Sequence, residues 1–189
     1  MLLVGEWPTE PLSHFLNQIK KEVKIIAQNQ GKVFENAIKS SMPSTSWIYR
    51  LRDNASSFAG GTNTRFTSSN ICDYIAYDDI SRTLFLWELK STKSTSVPIT
   101  MIRQSQIDGL LEASKHNLVA GLIVNYRNSN NDTFFILIDD YVEMINSINK
   151  KSFNVKDIEK YSGTRIESTK KRTRYTYNME KLIKETRLN

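Results

Sequence analysis

Residues 71–90, ICDYIAYDDISRTLFLWELK, decide how the rest of the chain must be arranged. Two runs rich in β-branched and aromatic residues, 71–77 and 83–90, flank Asp78-Asp79-Ile80-Ser81-Arg82, a polar stretch suited to reversing the chain. Successive side chains of a strand point to opposite faces. Leu84, Leu86, Glu88 and Lys90 therefore share one face, and Phe85, Trp87 and Leu89 the other. A hairpin that pairs Tyr77 with Leu84 also sets Asp73 opposite Glu88, and directly opposed residues share a face. That register gathers Asp73, Glu88 and Lys90 on one patch, whereas a slip of one residue separates them.

Two opposed carboxylates repel unless a positive charge lies between them. Hard divalent cations such as Mg²⁺ prefer carboxylate oxygens and keep waters that can be activated. A neighbouring lysine can position or help deprotonate a water and balance charge on a reacting phosphate. Asp followed by Glu-x-Lys on the next strand is thus a reasonable apparatus for cutting a phosphodiester. The plainer alternative is a solvated hairpin face with an ordinary Glu/Lys pair, because Glu-x-Lys alone is common.

The chain has 189 residues, 39% hydrophobic and 24% charged, which suits one soluble domain with a real core. No apolar run approaches a membrane span, and Met-Leu-Leu-Val-Gly at the start lacks the charge and length of a signal peptide. Cys72 is the single cysteine, so no internal disulfide can form, and a reducing, cytoplasmic compartment is expected. Cys72 is expected to point away from Asp73 into the core, as packing and not as a nucleophile. With only His14 and His116 and no Cys/His cluster, zinc is disfavoured.

The net charge of +6 is unevenly placed. Residues 1–149 hold 14 Lys/Arg and 15 Asp/Glu, or −1, and residues 150–189 hold 12 and 5, or +7. The excess lies in the last 40 residues, which favours an acidic polymer such as nucleic acid as partner. A solubilising tail is the alternative.

Taken in order, a helix is expected from Pro11, striped by Leu12, Phe15, Leu16, Ile19, Val23 and Ile26. A second runs over 32–41 with Val33, Phe34, Ala37 and Ile38 inward, Glu35 bordering that stripe and able to reach over a sheet edge toward Asp73, and Pro43 as its stop. Residues 47–51 read as a strand. Residues 53–70, DNASSFAGGTNTRFTSSN, form a long polar loop of the kind that is functional or disordered. Arg50, Arg52 and Arg65 near it are candidates for phosphate contact or simply solvated charges. Residues 91–98 read as a flexible connection, and 100–116 as a helix with Ile107, Leu110 and Leu111 inward and Gln106 beside them. Strands are expected at 119–126 and 133–138, and helices at 139–149, 155–161 and 178–187. Lys170, Lys171, Arg172 and Arg174 form a basic patch ahead of Tyr175 and Tyr177. The expectation is an α/β fold: a single domain with a mixed β-sheet flanked by helices. Its parts are an N-terminal helical extension over 1–28, a core over 29–149, and a basic segment over 150–189 packed on or extending that core.

An ordered set of short motifs resembles the PD-(D/E)xK nuclease superfamily and, more narrowly, RecU-type Holliday-junction resolvases. The motifs are Gly31-Lys32-Val33-Phe34-Glu35, Cys72-Asp73-Tyr74, Glu88-Leu89-Lys90 with Thr92-Lys93, Ser96-Val97-Pro98-Ile99, Gln106-Ile107, Lys151-Ser152, Ile158 and Arg174-Tyr175-Thr176-Tyr177. The similarity runs from about residue 29 to near the C-terminus, with Cys72 standing where the superfamily name puts proline. It implies a restriction-endonuclease-like nuclease core over 29–149 and a homodimer that binds four-way DNA junctions, nicking two strands symmetrically with Mg²⁺ or Mn²⁺. Asp73 and Glu88 would bind metal, with the Leu89 carbonyl as a candidate ligand and Glu35 as an outer or second-metal carboxylate. Lys90 would position or activate the attacking water, and Gln106 would help order Lys90 or the phosphate. Arg50, Arg52, Arg65, Lys93, Lys170, Lys171, Arg172 and Arg174 are the candidate DNA contacts, and a recombinase is a candidate partner. The alternatives are another nuclease of this superfamily, sequence-specific or end-acting, and a non-catalytic DNA-binding module of the same fold.

Overall fold

The computed structural model describes residues 16–17, 30–51 and 70–186. Of the N-terminal helix expected from Pro11, it describes only residues 16–17, which are helical. Most of the polar segment 53–70, with Arg65, lies outside the described residues, as does Arg52.

Six strands make one mixed sheet in the order β1-β2-β3-β5-β6-β8. They are β1 Ser46–Arg50, β2 Tyr74–Asp78, β3 Thr83–Thr92, β5 Val119–Tyr126, β6 Thr133–Leu137 and β8 Thr164–Arg165. β2 pairs antiparallel with β1 and β3, while β3 and β5 are parallel neighbours. Parallel neighbours need a crossover, and helix α2, Gln104–Lys115, lies on it.

Both faces of the sheet are buried. On one, Leu86, Leu122, Val124 and Ile136 pack with Ile107 and Leu110 of α2 and with Tyr141 and Met144 of α3, Ile138–Ser147. On the other, Phe85, Trp87 and Ile123 pack with Phe34, Ala37 and Ile38 of α1, residues 30–40, and with Leu182 and Ile183 of α5, Met179–Thr186. The two faces of β3 divide as the alternation of its sequence requires. This mixed sheet between helices is the α/β architecture expected from the sequence. A Cβ at Gly109 would meet Ile71 Cγ2 at 2.4 Å, so glycine lets α2 lie close against the start of the hairpin.

Three local expectations fail. The stretch expected to be a flexible connection instead continues β3 through Thr92 and then forms β4, Ser96–Pro98. β4 pairs with β7, Ser152–Asn154, setting Val97 opposite Phe153, and both are completely buried. The helix expected from Thr100 starts at Gln104, after a 3-10 turn at Ile99–Met101 and an extended Arg103. Val33, expected inward, is 50% exposed. The C-terminal segment, besides α4 at Val155–Lys160, carries the hairpin β9 Ser168–Lys170 and β10 Tyr175–Tyr177, with Lys171, Arg172 and Arg174 at its tip. Among the described residues no helix is long and apolar enough to cross a membrane.

Candidate active site

The β2–β3 hairpin closes on the expected register: Tyr77 faces Leu84, and Tyr74 faces Trp87. Its turn is held by Asp78, which accepts from Ser81 N–H at 2.8 Å, from Ser81 Oγ at 2.7 Å and from Ser46 Oγ at 2.9 Å. At the open end, Asp73 lies just beyond the last paired residue and is fastened twice. Its N–H donates to the Trp87 carbonyl at 3.1 Å, and its Oδ2 accepts from the Leu89 N–H at 2.8 Å. Those bonds bracket Glu88, so the Asp73 carboxylate is tied to the same three residues of β3 that carry Glu88. The Asp73 carbonyl accepts from Leu51 N–H at 2.9 Å, which fixes the loop from the β1 side.

Glu88 is 1% exposed. One oxygen, Oε1, accepts from Lys90 Nζ at 2.5 Å, a contact made possible because residues two apart on a strand share a face. The other, Oε2, is buried with no hydrogen-bond partner among the described residues. A buried carboxylate is costly unless its lone pairs are met, so an unmet oxygen beside a second carboxylate asks for a cation. Carboxylate oxygens suit a hard cation, and Mg²⁺ characteristically takes one or two of them, filling its remaining positions with water and phosphate. The donors of Asp73 and Glu88 fit such an ion.

Cys72 is buried as expected, but in the cluster with Leu86, on the side of the sheet where Glu88 lies. The residue precedes β2, so strand alternation does not govern it. Burial, then the charges of Glu88 and Asp73, push its thiol up to about 12. A thiol kept protonated is neither a nucleophile nor a soft-metal ligand.

The remaining candidates are placed less centrally. Glu35 lies toward the hairpin, yet its carboxylate is held by Arg50 Nε at 2.8 Å, and its carbonyl accepts from the Tyr74 hydroxyl at 3.4 Å. Burial, then Glu35, with Arg50 opposing, moves the Tyr74 phenol up to about 12. Among the described residues no three His, Cys, Asp or Glu side chains gather to hold one ion. Arg50, taken from the sequence as a phosphate contact, thus carries an ion pair inside the protein. Gln106 is 2% exposed, and its Oε1 accepts from Arg103 N–H at 3.1 Å, which caps α2. The basic candidates split by location: Lys93, Lys170, Arg172 and Arg174 border one cleft, while Lys171 is exposed at the hairpin tip. Arg127, just after β5, borders the same cleft and was not singled out from the sequence, where it is a lone arginine in no motif.

Comparisons with known proteins add an independent line. A family model described as recombination protein U, RecU, matches residues 35–181. The SPbeta prophage-derived uncharacterized protein YotM of Bacillus subtilis (strain 168) is 33% identical over 175 residues, covering 84% of this chain and 87% of that protein. Among solved structures, Archaeoglobus fulgidus Hjc, a Holliday junction resolvase from an archaeal hyperthermophile, is similar with a TM-score of 0.45 at 13% identity. That likeness covers 71% of this chain and 93% of Hjc.

Proposed function

The chain belongs to the RecU family, and from that premise we propose that it is a divalent-metal-dependent, structure-selective DNA endonuclease that resolves four-way junctions. The observation that carries the metal-site part of the reading is the buried, unpartnered Oε2 of Glu88 beside Asp73, with Lys90 clamped to the other Glu88 oxygen. In this reading Asp73 and Glu88 hold Mg²⁺, or Mn²⁺ in its place, with the Leu89 carbonyl as a further ligand and Glu35 outside the first set. Such an ion supplies Lewis-acid activation of water and neutralises charge on the scissile phosphate.

The chain's own groups then have separable tasks. Glu88 Oε1 orients the Lys90 ammonium, whose other protons are left to meet a phosphate oxygen or an attacking water. Lys90 is 19% exposed at its side chain, enough to contact substrate while its stem stays packed. The Leu89 N–H fixes the Asp73 carboxylate so that it need not reorganise when substrate arrives. Gln106 holds the first turn of α2 in place, and in this reading its remaining polar group orders Lys90 or the phosphate. Lys93, Lys170, Lys171, Arg172 and Arg174 supply the phosphate contacts that bring branched DNA to the site. Two copies related by a two-fold axis would address the two equivalent strands of a junction, so a homodimer is part of the proposal.

The test is cleavage of a four-way junction with mobile arms in Mg²⁺ and in Mn²⁺, with cut sites mapped on all four strands. Paired nicks on opposite strands are expected. Preferential cleavage of linear duplex or of free ends would replace the resolvase reading with another nuclease, and no cleavage with either ion would leave a DNA-binding module.

A further inference from the structure

The cleft bordered by α1, the end of β5 and the β9–β10 hairpin has a volume of about 550 Å³ and an unusual lining. Five cations, Lys93, Arg127, Lys170, Arg172 and Arg174, surround it, and among the described residues no acidic side chain does. Among the described residues none of the five is paired with a carboxylate. Of the other cations in the C-terminal segment, Lys150 pairs with Asp157, Arg165 with Asp132, Lys181 with Glu167 and Lys184 with Glu180, whereas Lys151, Lys156, Lys160 and Lys171 have no ion pair among the described residues; the cleft differs in gathering five such cations around one volume. Arg127 Nε is buried without a hydrogen-bond partner among the described residues, although the residue's backbone is anchored by N–H donation to the Thr92 carbonyl at 2.8 Å. Five unmatched charges held together by the fold imply an anion that belongs there.

The floor of the cleft narrows the choice. It is apolar and aromatic: Val33 is half-exposed and Tyr175 partly exposed, while Phe34 and Tyr177 are buried edge-to-face against each other. Duplex DNA offers phosphates, but its base faces are hidden in the stack. An unpaired strand offers both phosphates and free base faces, and aromatic platforms beside cationic grooves are how such strands are held. The size is that of a cleft that encloses a small organic group.

We propose that this cleft binds unpaired DNA nucleotides, seating a base against Val33 and Tyr175 and its phosphates against Arg127, Lys93 and the β9–β10 tip. The inference rests on the DNA-directed reading above and adds to it a preference for locally unpaired strand.

The experiment is fluorescence anisotropy of the full chain, without divalent ion, on a labelled oligothymidylate, a blunt duplex and a four-way junction. Tyr175→Ala is expected to weaken oligothymidylate binding about tenfold, the scale of one lost stacked base, and the charge-neutral Val33→Ala to weaken it less, while duplex binding by either changes less than about twofold. Lys184→Ala, a paired cation elsewhere, serves as the charge control and should leave both unchanged. Folded variants that bind oligothymidylate like the parent, or that lose duplex and oligothymidylate equally, would overturn the inference while leaving junction binding intact. Junction affinity no greater than duplex affinity, with the oligothymidylate pattern as expected, would instead remove the junction reading and keep this one. A parent chain that binds none of the three would sink both.

Discussion

At one end of the β2–β3 hairpin Asp78 is 4% exposed, and at the other Glu88 is 1% exposed. Burial puts the same demand on both carboxylates, yet their surroundings answer it differently. Asp78 accepts three hydrogen bonds, two from Ser81 and one from Ser46. Burial alone would raise its pKa, but these donors win and hold it below the usual carboxylate value. Glu88 has Lys90 on one oxygen and, among the described residues, no hydrogen-bond partner on the other. A buried carboxylate whose bonds are complete is a structural part, and one left incomplete is poised for a partner from outside. Burial by itself separates neither case; the count of unmet lone pairs does.

The contrast is sharpest in activity. Glu88→Gln and Asp73→Asn should each lower metal-dependent junction cleavage by at least about 10³-fold, since several kcal/mol of charge stabilisation is lost, while junction binding is largely kept. Asp78→Asn should cleave within a few-fold of the parent. Single-turnover cleavage checks all three, and an active Glu88→Gln would break the distinction.

Stability should reverse the order. Asp78→Ala strands the Ser81 N–H and the Ser46 hydroxyl and should cost about 2–3 kcal/mol in urea unfolding. Glu88→Gln, measured without divalent ion, should shift stability by less than about 1 kcal/mol, because Lys90 can turn to water. Equal losses for the two would mean that Glu88 is a structural carboxylate as well.

Acid titration sharpens the same point. The folded pKa of Asp78 lies below its unfolded value near 3.8, so its contribution is complete above that value and is lost as pH falls through the lower folded one. The parent should therefore lose stability faster than Asp78→Asn below about pH 4, followed by circular dichroism. Parallel acid curves would remove the argument from hydrogen bonding.

A smaller effect is expected at Gln106, a buried polar group whose Oε1 is already used. Gln106→Ala should cost about 1 kcal/mol, the scale of a lost helix cap, and should reduce cleavage far less than Glu88→Gln. A loss of cleavage matching that of Glu88→Gln, at unchanged stability, would move Gln106 into the chemistry.

The hairpin was legible in the sequence because three signals agree there: two alternating runs, a polar turn, and a register that puts Asp73 beside Glu88. Local physics fixes each of these within twenty residues. The β4–β7 pair was not legible, since three-residue strands with one buried side chain each, Val97 and Phe153, leave no period to read. Nor was the Glu35–Arg50 ion pair, which depends on how α1 docks over β1. Val33 fits the apolar stripe of α1 by spacing, and only the placement of the β9–β10 hairpin leaves it open to the cleft. Arg127 has no sequence signal at all, because its significance comes from four other cations brought to it by the fold.

The most direct measurement is a Mn²⁺ titration of the full chain, counted by the electron paramagnetic resonance of the free ion and run on the parent and on Glu88→Gln. The expected result is bound Mn²⁺ on the parent that is lost or strongly weakened when the unpartnered Glu88 oxygen becomes an amide. Equal Mn²⁺ binding by the two proteins would contradict the assignment of Asp73 and Glu88 as the metal-holding pair.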